Sequence, residues 1–517
     1  MVGALTLIGL ALRWHDFTQS LFSDELSTLW IVLNNDLIDT VRLVNTDAEI
    51  TPPLYFVLAW FATRLGDSPE LVRLPALLAG VASIPLMYEL GRRTAGQGAG
   101  LVAAAIFALS PAMVYFSANG RSYSLLTFLL ICSTLTMLLA LKTGRIAWWL
   151  GFAAATCLAM YSHYTAAFVL AGQLGWLLWA HPEARRAALL ATAAAAAAFL
   201  PWIAGLLADL GSPTTEILAF LQGSGFHTKL IAFETWAFGR PLNDTSKVPG
   251  HAWVLVICSG LAIALIATLV TRLARAGGFR AALRGLPKEY VLIAVIALAT
   301  PVCELILIPL GTDLLGARNL TASSYGLYLA FGAIVASAGV LWGVVSAILV
   351  IGGFAVGAGK VTQAGAGTPD FKAAADFIER QSSPDDVVID GFGAGLSPVP
   401  LAPMDFYLRD GQPLYHLNRP SSPPPYLPFA TVLPSQDKLL RRAFRQAGSR
   451  PLFLVKPDVL AIGSVDDPGN EGLNPSQPAY GDREIILPRG ARITETKRFP
   501  SDNPPSVLVI RNSGPAP

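Results

Sequence analysis

Eleven apolar segments, most of them close to twenty residues long, follow one another through the first 360 residues of this chain. A helix needs about 20 apolar residues to cross the roughly 30 Å of a bilayer's hydrocarbon. The segments lie near 1–12, 71–90, 98–116, 122–141, 147–162, 164–180, 187–208, 252–273, 290–310, 320–338 and 340–358. Inside lipid every backbone polar group must be satisfied within the protein, so such segments fold as helices. Charged residues make up only 14% of the chain, against about 25% in soluble proteins. The reading is a polytopic membrane protein. A net charge of +2 and the lack of any Lys/Arg tract exclude nucleic-acid binding as the function. Cys132, Cys157, Cys258 and Cys303 lie singly in apolar segments, which predicts neither a disulfide nor a metal site.

The basic residues set an orientation. Arg92-Arg93, Lys142 with Arg145, Arg185-Arg186, and Arg272, Arg275, Arg280, Arg284 and Lys288 fall in alternate short loops. These loops are read as cytoplasmic. Residues 54–65 follow Pro52-Pro53 and end at Gly66, so they form a short helix. At about 18 Å it is too short to span, and counting it as a span breaks the charge alternation. It is therefore read as lying flat in the interface, with the N-terminus inside and the C-terminus outside. Segment 1–12 is read as a first span and not as a signal peptide.

The outer face then collects the 13–70 loop, the turn 117–121, the 209–251 loop and everything after about 360. A linker over 361–369 divides a membrane domain, 1–360, from a soluble domain, 370–517. In the latter, Phe371 to Arg380 has one apolar face and reads as a helix. Asp386–Asp390, Leu452–Val455, Val459–Ile462, Glu484–Leu487 and Ser506–Ile510 read as strands of a small α/β domain. Gly391 to Gly395 leads into Ser-Pro-Val-Pro and not into a helix, so it is no dinucleotide loop. Pro420 to Pro428 reads as a surface loop.

The outer loops hold the chemistry. Asp24-Glu25 stands just past the first apolar segment, where carboxylates beside lipid are costly and usually functional. On a helix the two point about 100° apart, so one faces a given atom, and Asp24 is the candidate general base. The same acids also suit the first turn of a helix, with Asp24 capping after Ser23. Arg73, Arg121 and Arg318 each stand at the outer end of a span. A guanidinium fork suits phosphate oxygens, and also suits lipid headgroups. Arg13 and Arg64 are explained by outer-loop positions. His163 lies in a short outer turn, where it either bonds substrate or serves as an interfacial polar residue. Tyr55 and Tyr123 are candidate lining residues. Glu304 is the conspicuous mid-span acid.

Taken in order, these pieces resemble the GT-C glycosyltransferases that use polyprenyl-phosphate sugars, including protein O-mannosyltransferases and the lipid A aminoarabinose transferase. The resemblance rests on Asp24-Glu25, Thr51-Pro-Pro-Leu-Tyr55, Arg73-Leu-Pro-Ala-Leu-Leu-Ala-Gly80, Ile84-Pro-Leu86 and Gly91-Arg-Arg93. It continues through Leu109-Ser-Pro111, Tyr115-Phe-Ser117, Arg121-Ser-Tyr-Ser, His163-Tyr164, Pro201-Trp202 and Ala317-Arg318. It implies an all-α polytopic GT-C-like domain of about 11 transmembrane helices, with juxtamembrane helices in the first outer loop. It implies Asp24 as catalytic residue with Glu25 beside it, and Arg73 at the donor phosphate. The expected partners are a polyprenyl-phosphate-linked sugar donor, an envelope glycan, lipid or protein acceptor, and the bilayer; no cofactor or metal is expected. The family commonly has His where Thr51 stands, and Gln-Glu-Ala-Arg where Ala118-Asn-Gly-Arg121 stands, which implies an acceptor of this chain's own. A transporter or flippase is the competing class. It calls for ionisable groups deep inside spans and for mirrored halves.

Overall fold

The computed structural model describes the chain except residues 23, 34, 47–48, 213–224, 240–251, 277–286, 363–367, 392–402, 418–435, 458–461, 465–484, 489, 502–504 and 513–517. Ser23, Gly391-to-Gly395 beyond its first residue, and the Pro420–Pro428 loop therefore lie outside the described residues. The chain forms two compact units. One comprises Met1–Phe17, Leu37–Ala62 and Arg73–Thr362; the other comprises Thr18–Asp36, Thr63–Val72 and Gln363–Pro517.

The first unit is helical. Its main helices are α1 (Val2–Phe17), α3 (Leu37–Val44), α4 (Leu54–Ala62), α5 (Leu74–Thr94), α6 (Gln97–Leu109), α7 (Pro111–Ser117), α8 (Tyr123–Thr143), α9 (Ile146–Ser162) and α10 (Ala166–Ala180). Next come α11 (Arg185–Phe199), α12 (Ile203–Gly211), α13 (Phe226–Phe238), α14 (Ala252–Ala276), α15 (Lys288–Leu307), α16 (Ser324–Ser337) and α17 (Val340–Val361). Every one of the expected apolar segments falls on a helix. Among the described residues seven helices are long and apolar enough to cross a membrane, and eight if the bent pair α6–α7 counts as one span. Helix α4 has nine residues, about 13 Å, and is no span.

Small residues let these helices approach. A side chain on Gly91 of α5 would lie 2.5 Å from the Gly100 Cα of α6, and one on Gly332 of α16 would lie 2.5 Å from the Ala99 carbonyl oxygen. Backbones meet here with no side chain between them, as is common between membrane helices. Polar bonds add to this. Gln173 of α10 donates to Thr134 Oγ1 at 2.9 Å and to the Tyr325 hydroxyl at 3.2 Å, and accepts from Ser133 Oγ at 2.9 Å. Gly144, at φ +66°, closes α8 in the left-handed conformation, so that α9 begins two residues later.

Arg13 departs from the outer-loop position expected for it. It lies inside α1 and is fully buried. The reason is a break in the neighbouring span. Pro111 has no N–H, and α6 and α7 meet at 61°. The Arg13 guanidinium donates to the Phe107, Ala108 and Gly9 carbonyls, each at 3.0 Å, and to Ser117 Oγ at 3.0 Å. It thus replaces donors that the broken helix lost.

The second unit carries a mixed sheet, β1 (Val387–Asp390), β2 (Leu414–His416), β3 (Leu452–Pro457), β6 (Ala491–Arg498) and β7 (Pro505–Asn512), in the order β2-β1-β3-β7-β6. Strands β2, β1 and β3 are parallel; β7 and β6 run antiparallel. A separate parallel pair joins β4 (Ile462–Ser464) to β5 (Ile485–Leu487). Side chains alternate between two cores. Val387, Ile389, Leu452 and Leu454 pack with Leu440 and Phe444 of helix α20 (Gln436–Ala447). Val388, Phe453 and Val455 pack with Phe371 and Ile378 of helix α18 (Phe371–Gln381). Burial on both faces explains the unbroken apolar runs of these strands. The same unit includes helix α2 (Asp24–Leu33) and a short helix, α19 (Met404–Tyr407).

Replacing Arg13 with Leu strands the two buried carbonyls at the break, Phe107 and Ala108. We expect a loss of at least ~2 kcal/mol, seen as a lower melting temperature and yield of the detergent-solubilised protein. Trp14→Leu, at an exposed neighbouring position, should leave both unchanged. Equal behaviour of the two variants would refute the assignment.

Candidate active site

Tyr123, at the start of α8, and His163, just past the end of α9, meet with ring centroids 5.5 Å apart. Phe116 also packs against Tyr123, its ring tilted by 45° at a centroid distance of 4.8 Å. Arg121 and Arg318 both act on His163 electrostatically. Four of the candidate residues, from three separate chain segments, thus converge in the helical unit.

The His163 ring is nearly buried. The Thr165 backbone N–H donates to its Nδ1 at 3.3 Å, and the Thr165 hydroxyl lies 2.9 Å from the same nitrogen. Because a backbone N–H only donates, Nδ1 is an acceptor and the neutral ring carries its proton on Nε2. Burial, and then the charges of Arg121 and Arg318, push its pKa from 6.5 down to about 4. His163 is therefore a neutral ring at physiological pH, presenting a donor beside two cations.

Arg121 is engaged by a residue that sequence reasoning missed. Glu49 takes its guanidinium in a two-pronged pair, Nη1 to Oε2 at 2.5 Å and Nη2 to Oε1 at 3.0 Å. Both side chains are largely buried, and the guanidinium sits over the Phe56 ring at 5.9 Å. A planar fork on a carboxylate is the strong form of such a pair. The available signal was an acid two residues ahead of Thr51-Pro52-Pro53. Tyr164 donates to Asp209 Oδ2 and accepts from the Trp202 indole N–H at 3.0 Å. Tyr55, on α4, is buried.

Arg73 precedes α5 and is buried; its Nη1 donates to the carbonyls of Phe17, at 2.9 Å, and Asp16, at 3.2 Å. It holds the end of α1, where a cation suits the exposed carbonyls. Arg318 is half-buried, ahead of a short helical turn over Asn319–Ser323.

Within the other unit, Asp24 opens α2 and is half-buried, and its carbonyl accepts from Thr28 Oγ1 at 3.4 Å. Glu25 is buried, and its Oε2 accepts from the Phe22 N–H at 3.4 Å. The bond ties the Glu25 side chain to the backbone just ahead of α2. Arg64 is exposed and secures the other end of α2, donating to the Val32 carbonyl at 2.7 Å and the Asn35 carbonyl at 3.0 Å.

Residues 51–204 match a family model described as dolichyl-phosphate-mannose-protein mannosyltransferase. A 97-residue stretch is 34% identical to the putative mannosyltransferase YycA of Bacillus subtilis. It covers 19% of this chain and 14% of that protein. The fold is similar to that of the Archaeoglobus fulgidus oligosaccharyltransferase tethered with an acceptor peptide. That match has a TM-score of 0.50 and 12% identity, over 88% of this chain and 68% of the other. ArnT of Cupriavidus metallidurans, bound to undecaprenyl phosphate, aligns over 98% of this chain and 97% of its own at a TM-score of 0.42 and 14% identity. The resemblance to the GT-C glycosyltransferases drawn from the motifs is borne out.

The buried, neutral His163 makes a pH prediction. An unfolded chain takes up this proton near pH 6.5 and the folded one near pH 4. Stability therefore falls as the pH drops through that window. The melting temperature of His163→Gln should fall less between pH 7 and 5 than that of the wild type. Parallel curves would refute the assignment.

Proposed function

We propose that the chain is an integral-membrane glycosyltransferase that moves a sugar from a polyprenyl-phosphate donor to an acceptor on the extracytoplasmic side. The acceptor is a cell-envelope glycan, lipid or protein. The observation that carries this reading is the grouping of Arg121 and Arg318 around His163 and Tyr123, on a GT-C-like helical fold. Phosphate departure develops negative charge, and fixed cations with neutral donors offset it.

In this reading Asp24 deprotonates or orients the acceptor hydroxyl. Glu25 stands beside it and holds the entry to α2. Arg318, Arg121 and Arg73 attend the departing phosphate. Arg121 does so while paired to Glu49, which fixes the direction of its fork. Tyr55, Tyr123 and His163 line the site. The donor carries one phosphate and no diphosphate to chelate, so the transfer needs no metal. A single displacement inverts the anomeric carbon, because no separate nucleophile and acid/base pair of the retaining kind is assigned. The chain sits in a bacterial plasma membrane with its N-terminus in the cytoplasm. The membrane domain spans 1–360, the linker 361–369 and the periplasmic domain 370–517.

A transporter or flippase draws its support from Glu304, whose two carboxylate oxygens are buried without a hydrogen-bond partner among the described residues. One assay separates the classes. Purified protein in liposomes receives a labelled polyprenyl-phosphate sugar and envelope extract as acceptor. Transfer to acceptor supports the enzyme, whereas movement of intact donor between leaflets without transfer supports the transporter.

Asp24→Asn should lower transfer by about 10²–10⁴-fold, the usual contribution of a general base, with the melting temperature unchanged. Full activity in that variant would overturn the assignment. Arg318→Ala should raise the donor KM at least ~10-fold, about 1.4 kcal/mol of binding. Transfer in excess chelator should match the untreated rate.

A further inference from the structure

Residues 18–22, immediately before α2, are bound one after another by the C-terminal part of the chain, in the same compact unit. Thr18 gives its carbonyl to Lys372 Nζ at 2.6 Å. Gln19 Oε1 accepts from the Thr368 backbone N–H and its hydroxyl, both at 3.3 Å. Ser20 accepts from Lys372 N–H through its hydroxyl at 3.0 Å, and from Thr368 Oγ1 through its carbonyl at 3.1 Å. Leu21 donates its N–H to the Tyr407 hydroxyl at 2.8 Å. Phe22 packs against Phe371, ring centroids 6.3 Å apart, at the edge of the core that holds Val388 and Phe453.

Two side chains tie this stretch to the returning piece of the same loop. The Tyr407 hydroxyl donates to Glu70 Oε1 at 3.1 Å while accepting from Leu21. Lys372 pairs with the same oxygen at 2.7 Å and lies 5.7 Å from the Tyr407 ring centroid. The Lys372–Glu70 pair alone would contribute little, because Lys372 is partly exposed. The backbone bonds beside it fix geometry. A stretch hydrogen-bonded at four successive residues and packed at the fifth has few ways to move, and Asp24 stands two residues beyond it.

We propose that the C-terminal domain is a positioning element for the catalytic loop, with Tyr407 and Lys372 as its positioning residues. They hold residues 18–22 and so set where α2 begins and where its first acid stands. The inference rests on the role proposed for Asp24. It gives the soluble domain a part in turnover in addition to any acceptor binding.

The test uses the full-length protein with Tyr407→Phe, Lys372→Gln and Lys372→Arg. Hydrogen exchange at the Leu21 and Phe22 amides should rise at least tenfold in Tyr407→Phe and Lys372→Gln at unchanged melting temperature. In the same variants kcat should fall at least fivefold with the donor KM unchanged. Lys372→Arg, which keeps charge and donors, should restore both. Unchanged exchange would overturn the clamp. Raised exchange with wild-type kcat would overturn its role in turnover. A wild-type protein that transfers no sugar would defeat the functional reading, and the clamp would then be judged on exchange alone.

Discussion

A backbone carbonyl inside a bilayer must find its donor within the protein, and the Ser110-Pro111 break leaves carbonyls of α6 without one. Arg13 answers that need. Its guanidinium serves Phe107, Ala108, Gly9 and Ser117 together, and so pins α1 to the point where the broken span turns. The bend has a consequence for the site. Helix α7 runs from the break to Ser117, and the next residues are the turn that carries Arg121 and the start of α8 at Tyr123. A straight continuation of α6 would send that turn elsewhere. The electrostatics around His163 thus depend on a structural arginine in another helix.

At the site the same rule operates with different groups. Two guanidinium groups and a histidine lie close together, and three positive charges there would repel. The protein resolves this in two ways. Glu49 neutralises Arg121 in a paired fork, and burial keeps His163 uncharged. The result is a region that still offers N–H donors while holding less charge than its composition implies. In the proposed reading those donors face the departing phosphate. The Asp209 carboxylate accepts a hydrogen bond from the Tyr164 hydroxyl.

The helices were legible because length and hydropathy decide them with no knowledge of packing. Positions within them were not. Arg13 looked like a loop residue because the apolar run ends before it; only the neighbouring proline break, distant in sequence, explains why an arginine extends the helix. Glu49 was invisible because an acid in a polar loop carries no periodicity, and its partner lies 72 residues away. In the sheet domain, the strands buried on both faces stood out as apolar runs. Strand β6 escaped because nearly all its residues are exposed, so no face had to be apolar. Helix α20 carried a signal that was overlooked: Leu440, Ala443, Phe444 and Ala447 recur at helical spacing and are all buried.

Asp24 and Glu25 bring these strands of argument together. Adjacent positions on a helix diverge by about 100°, so the two acids cannot share one duty. The Glu25 carboxylate is buried and accepts the Phe22 N–H, at the end of the stretch that the C-terminal residues bind. Asp24 is the more accessible of the two, at the first position of α2. The proposed division follows burial: Glu25 bonds the backbone ahead of α2, and Asp24 is assigned the chemistry. In the proposed reading, the Glu25 bond to the Phe22 N–H fixes the backbone from which Asp24, one residue earlier, would act on an acceptor.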